Sequence, residues 1–196
     1  ARRALSNYPM LESGSPVIWP QQPGIAIYHN RAIWPFVSAY PLRAARTTDD
    51  AARIEHEIRS IMRGAALAGS NMENYELRTQ AVHVDDGALS GPVVNSPRQL
   101  WSVAAALQMV MEGVFGVQAD GSISPKIPAS LVPMLFGDGD AITLALADRD
   151  IVLQRPARLD GDLLVAGETV REGRRVQVRL VARNSPAPNR AAAPLD

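Results

Sequence analysis

Two carboxylates three residues apart, Glu73 and Glu76, stand in the stretch Asn71-Met72-Glu73-Asn74-Tyr75-Glu76, in a region with no sustained apolar period. A carboxylate beside an apolar loop suits acid/base work, because a positioned side chain can take or give a proton at a reacting group. Upstream, the run Tyr28-His29-Asn30-Arg31 followed by Trp34 adds aromatic planes, an amide and a guanidinium; Tyr75, Arg78 and Gln80 add more of the same kinds. Sugar rings stack on aromatic faces and their hydroxyls need neutral and charged hydrogen-bond partners, so the combination fits a carbohydrate site. Each residue also has a plainer reading. Asn30 can cap a helix and Arg31 can brace a carboxylate; Tyr28 and Trp34 can pack, and Glu76 can pair with Arg78.

Other chemistries have less support. The three histidines, His29, His56 and His83, match no local metal-ligand spacing, and His56 and His83 read as surface residues. With no cysteine there is neither a disulfide framework nor a zinc–thiolate site, and the compartment stays open. The pair Asp85-Asp86 lacks the further oxygen ligands of a calcium loop and reads better as a turn. Nucleotide-binding and serine-hydrolase fingerprints are missing, and no cofactor is implied. Lys plus Arg and Asp plus Glu both total 20, so nothing electrostatic draws the chain to nucleic acid or an anionic membrane. No apolar run approaches the roughly 20 residues that span a bilayer.

The elements that must position these residues begin after a proline-rich stretch. Pro9, Pro16, Pro20 and Pro23 within residues 1–30 forbid a long helix there, leaving an ordered loop after a short helical stub. Residues 31–46 read as a helix that is apolar on most faces and therefore buried, with Pro41 inside it. A turn at Thr47-Thr48 leads into an amphipathic helix over 49–68, its stripe formed by Ile54, Ile58, Ile61 and Met62. Residues 69–95 read as a long loop with a short hairpin. Ser96-Pro97-Arg98-Gln99 has the form of a capped helix start, and the helix over 97–114 is apolar nearly all round. From Gly116 the period becomes strand-like: AITLALA, DIVLQR, DLLVAG and RRVQVRLVAR, separated by Gly/Asp turns. The up–down path of the first two helices predicts that residues 28–34 and 69–96 meet at one end of the bundle.

These residues carry a family resemblance. Asn71-Met72-Glu73-Asn74-Tyr75, then a polar loop, then Ser96-Pro97-Arg98-Gln99-Leu100-Trp101-Ser102-Val103-Ala104-Ala105, resembles the C-terminal catalytic region of six-hairpin glycosidases of the glucoamylase and trehalase kind. Ile27-Tyr28-His29-Asn30-Arg31-Ala32-Ile33-Trp34-Pro35-Phe36 resembles the substrate-facing start of an earlier inner helix of that barrel. The likeness spans roughly residues 15–155. It implies an α+β chain: the C-terminal helices of an (α/α)6 toroid over 1–116, a small antiparallel β-domain over 117–183, and a flexible tail over 184–196.

For function, the resemblance implies part of an inverting glycoside hydrolase acting on an α-glycoside. Glu73 would be the general base, and Tyr28, His29, Asn30, Arg31, Trp34, Tyr75 and Glu76 the substrate contacts. The family's catalytic acid lies upstream of the matching stretch, and three helices cannot close a toroid. The expected partners are a carbohydrate substrate and the N-terminal part of the barrel, in the same parent chain or a separate one. The alternatives are a carbohydrate-binding or scaffold fragment, and a phosphorolytic relative that would need an anion pocket, for which the loop offers only Arg78 and Arg98. Of the helices, 31–46 and 97–114 should be more buried than 49–68.

Overall fold

A computed structural model describes residues 2–186 of the 196-residue chain. Its helical half holds α1 (Arg2–Ser6), α2 (Pro35–Thr48), α3 (Ala51–Ala68) and α4 (Leu100–Gln108), the last running on into a π-helical turn (Met109–Val114). A two-residue ladder, β1 (Ala32–Ile33) with β2 (Tyr75–Glu76), lies at one end. The second half holds β3 (Lys126–Pro128), α5 (Val132–Phe136), β4 (Ala141–Ala145), β5 (Asp150–Gln154), β6 (Leu163–Glu172) and β7 (Arg175–Arg183), with the five strands in order β3-β6-β7-β5-β4.

The helices start and stop where local chemistry dictates, with two departures from expectation. α2 opens at Pro35 rather than residue 31, with proline at the first helical position, where its missing N–H has no partner to lose. Residues 31–33 are withdrawn by pairing: Arg31 takes a left-handed φ of 57° and Ala32 and Ile33 lie opposite Glu76 and Tyr75. α2 ends on Asp49, also left-handed, and Asp50 caps α3 by accepting from the Arg53 N–H at 3.1 Å. α4 begins at Leu100, not at Pro97. Residues 96–99 are pinned to the segment before β2 instead, the Gln99 N–H donating to the Asn71 carbonyl at 3.0 Å and the Glu73 N–H to that of Ser96 at 2.9 Å.

The order of burial also differs. α3, expected to be the outer helix, has eight buried residues, including Ile54 and Ile58 at 0% exposure. α4 has only Ser102 and Ala105 buried, and Leu100, Trp101 and Leu107 on it are exposed. α3 packs against α2, β3 and the π turn, whereas the apolar face of α4 that carries Leu100, Trp101 and Leu107 is left uncovered among the described residues. The inner–outer ordering is therefore not reproduced among the described residues.

Both halves are mixed into one core. Leu42, Ile54, Ile58 and Met109 from the helices cluster with Ile127, Leu131, Ile151, Leu153, Leu163 and Val178 from the second half; each such aliphatic side chain contributes about 1.5–3 kcal/mol on full burial. Arg46 joins the halves from α2: buried, it donates to the Gly113 carbonyl at 2.8 Å and the Ser124 carbonyl at 2.7 Å. Burial lowers its pKa to about 10 against the opposing charges of Glu112 and Asp49. Asp49 reaches across as well, to Lys126 at 2.5 Å and Arg183 at 2.9 Å.

The four anticipated strands form as β4 to β7, in a sheet that is not purely antiparallel. The hairpins β4–β5 and β6–β7 lie side by side so that β5 pairs with β7 in parallel; β3, too short to show a period, adds an antiparallel edge. Of the expected tail, Ser185 is held by the Asp162 carboxylate through its backbone N–H at 2.5 Å and its hydroxyl; residues 187–196 lie outside the described residues. No helix among the described residues is long and apolar enough to cross a membrane.

Candidate active site

The two loops meet as the up–down path predicts. Besides the β1–β2 ladder, the Leu77 N–H donates to the Arg31 carbonyl at 3.0 Å and the Val93 N–H to the Ile27 carbonyl at 2.9 Å. Gly91 makes that approach possible: an added Cβ there would stand 2.3 Å from the Ile27 carbonyl oxygen. The Val84–Gly91 bridge closes the short hairpin expected within 69–95. Tyr28, Arg31, Glu73 and Glu76 are thereby brought to one end of the molecule.

The two carboxylates are in different situations. Glu73 is 5% exposed. Its Oε1 accepts from the Tyr28 hydroxyl at 3.0 Å and its Oε2 from the Ser96 N–H at 2.9 Å. A carboxylate oxygen has about two acceptor sites, so each oxygen keeps one free. Glu76, 1% exposed, is committed to its own turn. Its Oε2 accepts from the Arg78 N–H (3.0 Å), the Thr79 N–H (2.8 Å) and the Thr79 hydroxyl (2.8 Å), and its Oε1 faces Arg31 Nε at 3.4 Å. These bonds tie Glu76 to the β2 turn and to Arg31.

Several other expected contacts are also bonded within the fold. Tyr75 is 1% exposed, its hydroxyl donating to the Ser70 carbonyl at 3.0 Å. Asn30 is 4% exposed and ties the loop before it, its amide donating to the carbonyls of Gln22 (3.0 Å) and Ile25 (3.3 Å) and accepting from the Gln22 N–H (2.8 Å). Arg31 bridges Glu76 and Asp86. Gln80 is buried, donating to the Ser60 carbonyl at 2.8 Å. Arg31 and Gln80, both left-handed non-glycine residues, flank the ladder, and each such position costs about 1–3 kcal/mol that the surrounding bonds must offset.

An aromatic cluster lies beside Glu73. His29 stacks on Trp34 at 4.9 Å and 18°, Tyr28 meets Trp34 edge-on at 5.1 Å, and Trp101 lies 6.1 Å from Trp34 and 5.7 Å from Phe36. Trp34, 5% exposed, donates its indole N–H to the Tyr28 carbonyl at 3.0 Å, so it is the cluster's centre and not its open face. The accessible faces belong to His29 and Trp101. Partial burial, and then the adjacent Glu73 carboxylate, raise the Tyr28 phenol above its ordinary range, keeping it a hydrogen-bond donor. A groove of about 250 Å³ runs from Trp101 and Phe36 along α2 and α4 past Tyr40, Arg43 and Gln108.

Sequence reasoning missed Ser96, taken for a helix cap, as the second anchor of Glu73. It also missed Asn95, whose side chain accepts from the Asn74 N–H at 3.2 Å and donates to the Asn74 carbonyl at 3.0 Å. The regular spacing of 97–114 hid both, since nothing in a cap signature shows that its backbone pairs elsewhere. Among the described residues no group of three His, Asp or Glu side chains is placed to hold a metal ion. Comparison of the chain with protein-family models, curated proteins and solved structures finds no match.

Proposed function

We propose that this chain supplies the general-base side of an inverting glycoside hydrolase site, with Glu73 as the base and an α-glycoside as substrate. The observation that carries the reading is the contrast between the two carboxylates. Glu73 is fixed by one donor on each oxygen, one of them a tyrosine in an aromatic cluster, and keeps an acceptor site on each for a water, whereas Glu76 takes four donors, three of them on one oxygen. In this chemistry one carboxylate takes a proton from water as it attacks the anomeric carbon. A carboxylic acid roughly 6.5–9.5 Å away protonates the leaving oxygen. Tyr28 and the Ser96 N–H would orient the base, and the open faces of His29 and Trp101 would receive the sugar ring.

The opposing acid comes, on this reading, from further helices of an (α/α)6 toroid packed on the apolar surface of α2 and α4, where Tyr40, Leu100, Trp101 and Leu107 are exposed. A contiguous apolar surface of this kind calls for a cover. The second reading, a carbohydrate-binding or scaffold fragment, draws on the near closure of Glu73 to solvent. The deciding experiment incubates the complete protein with a panel of α- and β-linked glycosides and follows the first-formed anomer by NMR. Release of the β-anomer from an α-glycoside supports the proposal. Binding of the sugars without turnover favours the second reading, and neither binding nor turnover removes both.

A further inference from the structure

The leader over residues 5–16 is held on α3 chiefly by side chains of that helix gripping its carbonyls. Arg53, 4% exposed, donates to the carbonyls of Leu5 (3.0 Å), Tyr8 and Pro9 (3.2 Å), and to the Ser15 hydroxyl (3.2 Å). Ser15 in turn donates to Glu57 Oε1 at 2.5 Å. Glu57 is fully buried, with Arg53 at 3.5 Å as one cationic neighbour and the His56 ring as the other. The middle of the leader depends on His56 itself, whose Nε2 lies 2.6 Å from the Leu11 carbonyl and whose Nδ1 lies 3.2 Å from Glu57 Oε1. The ring is 13% exposed, not the surface residue its sequence position suggested.

A carbonyl oxygen and a carboxylate can only accept. A neutral imidazole carries one N–H, so one of its nitrogens would set a lone pair against an oxygen lone pair. Both contacts form together only when the ring holds two protons. The groups acting on it are few. Burial opposes the charge, Glu57 and the Leu11 carbonyl favour it, Arg53 opposes it, and the balance lies above the ordinary histidine value. Across the contact the leader presents the Tyr8 phenol, itself pushed up by burial and then by Glu57, so it stays neutral where the imidazole titrates.

We propose that His56 is a pH-dependent latch for residues 11–15 of the leader, tight while the ring is an imidazolium and loosened when the ring becomes neutral and loses one of its two contacts, with Arg53 keeping its hold on Leu5, Tyr8, Pro9 and Ser15. The latch reaches the candidate site. Leu11 and Gly14 exchange backbone bonds at 3.3 and 3.2 Å, and the Ser13 hydroxyl donates to the Arg78 carbonyl at 2.6 Å, on the turn that Glu76 braces. Gly14 lies so close to Ser60 and Ile33 that an added Cβ would stand 2.3 Å from Ser60 Oγ and 2.6 Å from Ile33 Cδ1. Displacing Leu11 therefore disturbs β1 and the turn beside Arg31. The sign follows from the raised pKa: the His56 grip is complete below the ordinary histidine value of about 6.5 and loosens as pH rises through the higher folded value.

The test needs no substrate, so it stands apart from the glycosidase reading. Amide exchange of the full chain is compared from about pH 6 to about pH 9, corrected for intrinsic rates, with the His56 ring titrated by NMR alongside. The ring should titrate above about 6.5, and protection over residues 11–15 should fall about tenfold for each pKa unit of that elevation, while Ile151 and Leu153 stay protected. In His56→Gln the amide donates to the Leu11 carbonyl without titrating, so leader protection should be flat with pH. A ring titrating at or below about 6.5, pH-independent protection in the wild type, or an unchanged pH dependence in His56→Gln would each overturn the latch. Should the variant fail to fold, the wild-type ring titration and the leader-against-core comparison decide alone.

Discussion

The Tyr28 hydroxyl donates to Glu73 Oε1 across 45 positions of sequence, and the hydrogen bond crosses between the two loops that the β1–β2 ladder ties together. A side chain from the end of the proline-rich stretch 1–30 thus sets the orientation of the candidate base. Glu73→Gln keeps the shape and one acceptor, and Tyr28 can rotate to accept from the new amide, so the fold should persist. In the complete protein, turnover of the α-glycoside should fall by at least roughly 10²–10⁴-fold. Circular dichroism and steady-state rates measured together check this; wild-type turnover in Glu73→Gln would remove the assignment.

Glu76→Gln should act on stability. The amide keeps one oxygen acceptor but sets an NH₂ against existing donors and leaves Arg31 without its buried partner. Breaking a buried pair in this way costs about 3–5 kcal/mol, and the partial exposure of Arg31 argues for the lower end. Urea unfolding should show a lower midpoint, with unchanged sugar affinity in whatever fraction remains folded. A selective loss of affinity without loss of stability would return Glu76 to the substrate.

Gly91→Ala should be among the most damaging single-methyl additions in the chain. The new Cβ meets backbone, the Ile27 carbonyl oxygen, at 2.3 Å, and the loops must part to make room. Overpacking of this kind costs about 1–3 kcal/mol, and the change should also weaken the Val93-to-Ile27 bond. Thermal melts supply the first number and amide exchange at Val93 the second.

Asp49→Asn isolates the charge that joins α2 to the sheet, since asparagine tolerates the left-handed φ of 57° found there. Burial alone would raise the Asp49 pKa, but Lys126 and Arg183 hold it below the ordinary carboxylate range. The stabilisation is fully present above the unfolded value of about 3.9 and fades as pH falls through the lower folded one. The variant should be less stable by about 1–2 kcal/mol at neutral pH, between the worth of exposed and buried pairs. Unfolding at a series of pH values should show the difference closing only in acid.

Leu100→Ser and Leu107→Ser test the apolar surface. Both side chains are exposed in this chain, so its own stability should change by no more than about 0.5 kcal/mol. Association with the remaining helices of the proposed barrel should weaken, as read by co-purification of the two parts. Marked destabilisation of the chain alone would mean that α4 already packs on something within it.

The meeting of residues 28–34 with 69–96 was legible because helix direction and loop order leave few paths for the chain. The strands after Gly116 were legible from their β-branched runs and Gly/Asp turns. What could not be read was competition for backbone groups: Ser96 has the form of a cap, yet its N–H serves Glu73, and only tertiary pairing decides between those uses. His56 was misread for a related reason. Its helix face looks solvated until the leader folds over it. The parallel β5–β7 pair depends on how two hairpins are laid together, which no local pattern encodes.

Arg46 carries a consequence for how the molecule comes apart. Its guanidinium closes on carbonyls from the end of the helical half and the start of the strand half, over a core to which both halves contribute. Melting the sheet would strand a buried cation, and melting the helices would uncap the Gly113 and Ser124 carbonyls. Neither half has a low-energy way to unfold first, so heat or denaturant should reveal one cooperative transition across the apparent helix-to-strand boundary, and a protease cut near residue 117 should release two unstable pieces instead of two modules.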